Sequence, residues 1–319
     1  MDLDLTFLGT GGSVPTARRS TACLLIRAGG ERLMIDCGEG SQRQMQRSVG
    51  LIAVDELYLT HFHADHFLGV PGLLKTYDLQ GRERPMRIYG PEGLIELFRS
   101  LRRLFGRLAY EVELIEVGPG DRISQDGFGV RAFEVDHRGR ALGYALFEDE
   151  RPGRFDPAEA RRLGVEPGPD FGRLQHGEEV SGASGAVRPE QVMGEARKGR
   201  RLVVTGDTRP CDATLEAARG ADLLVHDSSF THEDVERAFE TKHSTAREAA
   251  RLASEAGAAM LALVHMSTRY HVGAVLEEAR EELEAAIAPR DFDVVELPLP
   301  ERGPPKLLPG AARPPRERR

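Results

Sequence analysis

The sequence predicts an α/β sandwich, with two β-sheets packed together and helices on the outside. Three observations lead there. Short strand-like runs dominate the first half of the chain. Strand and helix patterns alternate through the second half. At 319 residues, 40% of them hydrophobic, the chain can bury the core of one large domain or two modest ones.

The opening reads as a strand over 3–8, a turn through Gly9, Gly11 and Gly12, a strand over 22–27, a turn at Gly29-Gly30 and a strand over 32–36. A short helix is expected over 42–47 and a strand over 56–60, followed by a helix over 69–79. A strand over 86–89 leads to Pro91, where a helix through Phe105 can begin. Strands over 110–117, 128–135 and 142–147 complete the first half.

Residues 151–200 break this pattern. Pro152-Gly153, Pro167-Gly168-Pro169 and Gly182–Gly185 interrupt any periodicity, and a stretch of this length without core pattern is expected to be functional or disordered. One short helix is expected over 157–163, capped by Asp156. Regular structure then resumes: strand 201–205, helix 212–219, strand 222–226, helix 244–256, strand 259–264, helix 274–286 and strand 293–297. The Pro- and Arg-rich tail from Glu301 is expected to be disordered.

Composition excludes some classes. No apolar run is long enough to cross a bilayer, so no membrane association is expected. Cys23, Cys37 and Cys211 are widely spaced and form no Cys-x-x-Cys pair, which points to a reducing, cytoplasmic setting rather than disulfides or a thiolate metal site. The net charge of −8 does not mark a nucleic-acid binder, although residues 82–107 carry seven arginines against three glutamates. Glycines 9, 11 and 12 lack the following Lys or helix start of a nucleotide-binding loop, so no nucleotide cofactor is expected.

The chemistry concentrates in Thr60-His61-Phe62-His63-Ala64-Asp65-His66, which packs four potential metal ligands into six positions just past a strand. His61 and His63 can share one ion because alternate side chains share a face, and Asp65 and His66 can turn toward a second. Further ligands are expected at strand ends. His137, Asp207 and His265 each sit just past an apolar run, and the two oxygens of Asp207 can bridge two ions. Asp36 is expected either to brace a metal-binding histidine or to form a turn.

This pattern, completed by Thr205-Gly206-Asp207-Thr208, resembles the metallo-β-lactamase superfamily over residues 3–297. The resemblance implies an αββα sandwich with an inserted flexible arm: a single domain over 1–300, with the arm at 151–180 and a return segment at 181–200. It further implies two zinc ions per subunit, one on His61, His63 and His137 and the other on Asp65, His66 and His265, with Asp207 between them. Phe7-Leu8-Gly9-Thr10-Gly11-Gly12, Lys242-His243-Ser244-Thr245, His226-Asp227-Ser228-Ser229-Phe230 and His265-Met266-Ser267-Thr268-Arg269-Tyr270 look like segments of the tRNase Z family, which matures tRNA 3′ ends.

That family implies a zinc-dependent endoribonuclease that removes the 3′ trailer of precursor tRNA by metal-hydroxide attack and leaves a 3′-hydroxyl. The alternative is a phosphodiesterase or esterase of the same fold acting on small molecules. Asp65, His243 and Asp227 would be catalytic, with His243 protonating the leaving oxygen. Its bland alternative is a helix-start residue beside a Ser244 cap. Arg269, Arg18, Arg19, Gly168 and Pro169 would contact substrate, Arg269 being open to a salt bridge instead. A homodimer is implied. The family's Pro-x-Lys-x-Arg-Asn loop stands here as Pro15-Thr16-Ala17-Arg18-Arg19-Ser20, with Arg18 one position past the missing lysine, which leaves rejection of CCA-ended tRNA open.

Overall fold

A computed structural model describes residues 1–310 of the chain, in two compact units. The first comprises residues 1–125, 129–146 and 200 onward, and the second residues 126–128 and 147–199.

The first unit is built on two sheets. In one, the strand order is Lys306–Leu308, Val294–Glu296, Leu3–Gly9, Cys23–Ala28, Glu31–Ile35, Glu56–Tyr58, Met86–Gly90 and Val112–Glu116. The last four run parallel, and the others pair antiparallel. The other sheet has the order Ala286–Ile287, Leu261–Val264, Leu223–Asp227, Arg201–Val204, Leu142–Glu148, Phe128–Glu134 and Arg122–Ser124. Its first four strands are parallel. Leu223–Asp227 is buried along its whole length, as a central parallel strand covered on both faces must be, and this explains its unbroken apolar run before His226.

The sheets meet through their inner faces. Tyr58 of the first packs edge-on to Tyr144 of the second with ring centroids 5.2 Å apart, and the Tyr144 hydroxyl donates to the Leu59 carbonyl at 2.8 Å. Helices cover each outer face. Val70–Leu79 and Leu94–Phe105 bury Leu73, Leu74, Leu94 and Phe98 against Met34, Leu57 and Ile88 of the first sheet. Ala246–Ala256 buries Ala246, Ala249, Ala250 and Ala253 against Leu224, Leu261 and Leu263 of the second. Small side chains at helical spacing let that helix lie close to the sheet. Its start is set by Thr245, whose hydroxyl caps Glu248 N–H while the Glu248 carboxylate reaches back, and its end by Gly257 in the left-handed region. The αββα layering expected from the sequence is present. Among the described residues no helix is long and apolar enough to cross a membrane.

Several elements differ from expectation. The helix expected over 274–286 is Val272–Arg280, after which the chain turns into the two-residue strand Ala286–Ile287. Helices Ala64–Phe67, Pro169–Gln175 and Val235–Thr241 are additional. The expected disordered tail begins instead with a 3-10 turn at Pro300–Arg302 and the edge strand Lys306–Leu308, because Leu307 and Leu308 pair with Val295 and Val294. Its remainder, 311–319, lies outside the described residues.

Residues 151–200 also differ. The expected arm and return segment belong to one unit with its own core of Ala160, Val165, Leu174, Val180, Val187 and Val192. A hairpin, Val180–Gly182 with Gly185–Val187, spans the expected division at 180. The core went unread because its residues come from short turns and helices that share no period. The Asp156 cap is present, accepting from the N–H groups of Ala158 and Glu159.

Candidate metal centre and active site

The seven residues expected to bind metal converge at the carboxyl ends of the parallel strands. Glu56–Tyr58 delivers His61, His63, Asp65 and His66; Arg201–Val204 delivers Asp207; Leu261–Val264 delivers His265. This is where open α/β sheets present ligand sites, since loops there gather without interrupting the core. His137 follows Phe128–Glu134.

The donors form two clusters that share Asp207. In the first, His61 Nε2 and His137 Nε2 lie 3.0 and 3.3 Å from His63 Nδ1, and Asp207 Oδ2 lies 3.7 Å from His61 and 3.9 Å from His137. In the second, Asp207 Oδ1 lies 3.3 Å from His66 Nε2 and 3.4 Å from His265 Nε2, and Asp65 Oδ2 lies 3.6 and 3.0 Å from the same two nitrogens. Each Asp207 oxygen therefore faces a different triad. Separations near 3.3 Å are the edges of a tetrahedron whose centre lies about 2.0 Å from each donor, the bond length of zinc-class ions to imidazole and carboxylate.

Neighbouring groups fix the ring tautomers. His66 Nδ1–H donates to Asp36 Oδ2 at 2.7 Å, and His137 Nδ1–H to the Lys242 carbonyl at 2.8 Å. With Nδ1 engaged, both rings turn Nε2 toward the cluster as the nitrogen left for a metal. His61 Nδ1 lies 3.0 Å from Thr60 Oγ1, and His265 Nδ1 lies 2.8 Å from Ser229 Oγ. Asp36 braces His66, and its own backbone sits in the left-handed region with φ 58°.

A bound metal would account for two atoms that the protein leaves open. His66 Nε2 and Asp207 Oδ1 are buried without a hydrogen-bond partner among the described residues, and such atoms are costly unless something else satisfies them. Burial, reinforced by His66, holds His61 well below the usual imidazole range, in the form that offers a lone pair. Burial raises Asp207, but His265 and His66 outweigh it and keep the carboxyl ionised. The donor set, nitrogen and carboxylate oxygen without thiolate, suits zinc-class metal.

His243 stands beside the clusters. Its Nδ1 donates to Asp227 Oδ2 at 2.7 Å, and its ring stacks on His265 with centroids 5.2 Å apart. Burial disfavours its cation, but Asp227 outweighs that and pushes the imidazole up to about 9. Asp227 accepts from Ser229 N–H and hydroxyl at one oxygen and from Thr208 N–H and His243 at the other, so its lone pairs are already engaged. It is therefore a partner of His243 rather than a metal ligand. Helix capping falls to Thr245, not Ser244, which donates to the Thr208 carbonyl. Arg209, unsuspected from the sequence, forms a two-pronged pair with Glu248 and donates to the His243 carbonyl.

The other expected contacts separate. Arg18 is exposed on a loop lining a cleft of about 1230 Å³. Arg19 is half-buried on the same cleft and donates from Nη1 to Thr10 Oγ1 and the Pro289 carbonyl. Arg269 is exposed, and it forms no salt bridge among the described residues. Gly168 and Pro169 lie in the second unit, at the start of helix Pro169–Gln175.

The αββα sandwich and its His- and Asp-lined centre define a protein of the metallo-β-lactamase fold with groups that can hold metal. A β-lactamase superfamily domain model matches residues 174–266, and the model for the anti-Pycsar protein Apyc1 matches residues 3–116. Ribonuclease Z of Methanosarcina acetivorans is 48% identical over 302 residues, covering 93% of this chain and 98% of that protein. Ribonuclease Z of Myxococcus xanthus is 49% identical with the same two coverages. The chain belongs to the ribonuclease Z family. Among solved structures, the short form of human tRNase Z matches with TM-score 0.68 and 25% identity over 92% of this chain and 99% of that one. The Bacillus subtilis protein YhfI shares the fold, with TM-score 0.69 and 20% identity over 93% of this chain and all of that one.

Proposed function

We propose that this chain is a zinc-dependent endoribonuclease that cuts the 3′ trailer from precursor tRNA and leaves a 3′-hydroxyl on the tRNA. It works as a cytoplasmic homodimer with two ions per subunit. The carrying observation is the placement of the Asp207 oxygens, one toward His61, His63 and His137 and the other toward Asp65, His66 and His265. Family membership supplies the substrate class.

When bound, a pair of such cations clamps the scissile phosphate and makes a water more acidic. The protein's own groups do the rest. Asp65 orients the attacking water and takes its proton. His243, held by Asp227 at Nδ1, presents Nε2 and gives its proton to the departing 3′-oxygen. Asp227 fixes the tautomer that makes this possible. Arg18 and Arg269, both exposed, meet substrate phosphates as guanidinium groups do well. The second unit, with Gly168 and Pro169, grips the tRNA body. Its Arg162 pairs with Glu159 and its Arg173 with Asp170 and Glu178, so these two cations are partly neutralised for that task.

The test uses zinc-loaded protein with two precursor tRNAs, one with a plain trailer and one containing CCA, and maps the 3′ ends. Cleavage after the discriminator base by the wild type and not by Asp65→Ala supports the reading. Metal-replete protein that cuts neither RNA but hydrolyses small phosphodiesters refutes it.

A further inference from the structure

Asp291 takes no part in the chemistry above, yet four hydrogen bonds converge on its carboxylate. Oδ1 accepts from Thr10 N–H at 3.1 Å and from the Thr10 hydroxyl at 2.7 Å. Oδ2 accepts from Ser20 N–H at 2.7 Å and from Gln44 Nε2 at 2.8 Å. One side chain thus ties both ends of the 10–20 loop, whose neck is closed by Gly11 N–H to the Ser20 carbonyl at 2.9 Å.

The loop carries this anchorage into one half of the metal centre. Ser13 N–H donates to Asp65 Oδ2 at 2.8 Å. Met266 N–H donates to the Thr10 carbonyl and Gly12 N–H to the Met266 carbonyl, both at 3.2 Å, which fixes the residue next to His265. A Cβ at Gly12 would come within 2.9 Å of the His265 carbonyl oxygen and ring, so this backbone lies directly on that ligand. Ser13 at φ 49° and His265 at φ 58° hold left-handed conformations that persist only where the surroundings over-determine them. Phe292, beside Asp291, is also left-handed at φ 77°; it is held by Phe292 N–H to the Phe7 carbonyl and by the Arg47 guanidinium 5.1 Å from its ring centre. The other half has different supports. His61 leans on Thr60, and His137 on the Lys242 carbonyl.

We propose that Asp291 is a positioning residue for the half of the metal centre made by Asp65, His66 and His265, and that it sets metal affinity there without acting on the His61, His63 and His137 half. The proposal rests on the two-ion reading.

The experiment titrates metal-stripped protein with zinc against a competing chelator and records melting temperatures in parallel. Asp291→Asn keeps the shape but turns an amide NH₂ toward donors at one oxygen. Thr10→Val keeps the shape and removes one of the four donors. Leu74→Ala, a fully buried core position away from the loop, controls for lost stability. The wild type is expected to take two equivalents in resolvable steps. In Asp291→Asn one step stays at wild-type affinity and the other weakens about 10-fold, the low end for residues that orient metal ligands. Thr10→Val shows the same one-sided loss, smaller, and Leu74→Ala melts lower without separating the steps. Equal weakening of both steps in Asp291→Asn, or curves that superimpose on wild type, overturns the proposal while the two-ion reading stands. A wild type that binds one equivalent overturns that reading itself.

Discussion

Asp36 and His66 form a buried pair, Oδ2 to Nδ1 at 2.7 Å, in which the carboxylate also accepts from the Thr60 N–H and hydroxyl. The pair aims His66 Nε2 at Asp207. Asp36→Asn keeps the volume but faces one of these donors with an amide NH₂. Metal affinity is expected to fall about 10–100-fold, read by competition with a chelator. Unchanged affinity would show that the helix Ala64–Phe67 alone orients the ring.

His243 and Asp227 act on the proton rather than the metal. His243→Ala is expected to lower kcat on precursor tRNA by about 10²–10⁴-fold, the usual worth of a placed general acid. Bound zinc per chain should stay at the wild-type level. Asp227→Asn should lower kcat in the same direction. A variant that loses zinc together with activity would make His243 a ligand instead.

The two loop arginines should behave differently. Arg18→Ala is expected to weaken RNA binding and to flatten its salt dependence by about 0.7–0.9 in log–log slope, one phosphate's worth. Arg19→Ala removes the bonds to Thr10 and Pro289, so it should lower the melting temperature and leave the salt slope nearly unchanged. Binding isotherms at several salt concentrations separate the two.

Metal should stabilise the fold, since His66 Nε2 and Asp207 Oδ1 are otherwise buried without partners. At free zinc about 100 times its dissociation constant, stabilisation of about 2.7 kcal/mol is expected. Calorimetry with and without chelator measures it, and identical melting curves would count against a metal site here.

The thiols offer a check on burial. Desolvation pushes Cys37 up to about 12 and Cys23 well above the usual thiol range, so neither supplies thiolate at pH 8. Cys211 is half-buried beside Thr214. One thiol should react with an aromatic disulfide reagent in the native protein and three after unfolding. Rapid reaction of all three would mean that the first sheet opens easily.

The chemistry was legible in the sequence where ligands are adjacent or follow an apolar strand, as in His61 to His66 and at Asp207 and His265. Capping was legible too: Thr245 and Glu248 have the spacing of a capping box, and reading it would have moved the cap from Ser244 to Thr245. Long-range bonds were not legible. Asp291 meets Thr10 across 281 positions and Ser20 across 271, and no local pattern announces such a partner. At Arg19 the sequence shows the charge but not the Thr10 hydroxyl and Pro289 carbonyl it donates to. The core of residues 147–199 stayed hidden because Ala160, Val165, Leu174 and Val180 follow neither a helical nor a strand period.

That core has a consequence for how the molecule can change. A segment that folds around its own apolar centre can gain or lose surface charge without disturbing a single metal donor. Under the proposed function, the share of RNA grip that residues 147–199 supply can therefore be retuned apart from the residues proposed to hold metal. Arg18 and Arg269, by contrast, lie in the same unit as those residues. Exchanging residues 147–199 with the matching segment of a relative should transfer preference among tRNAs while the hydrolytic rate constant stays that of the host.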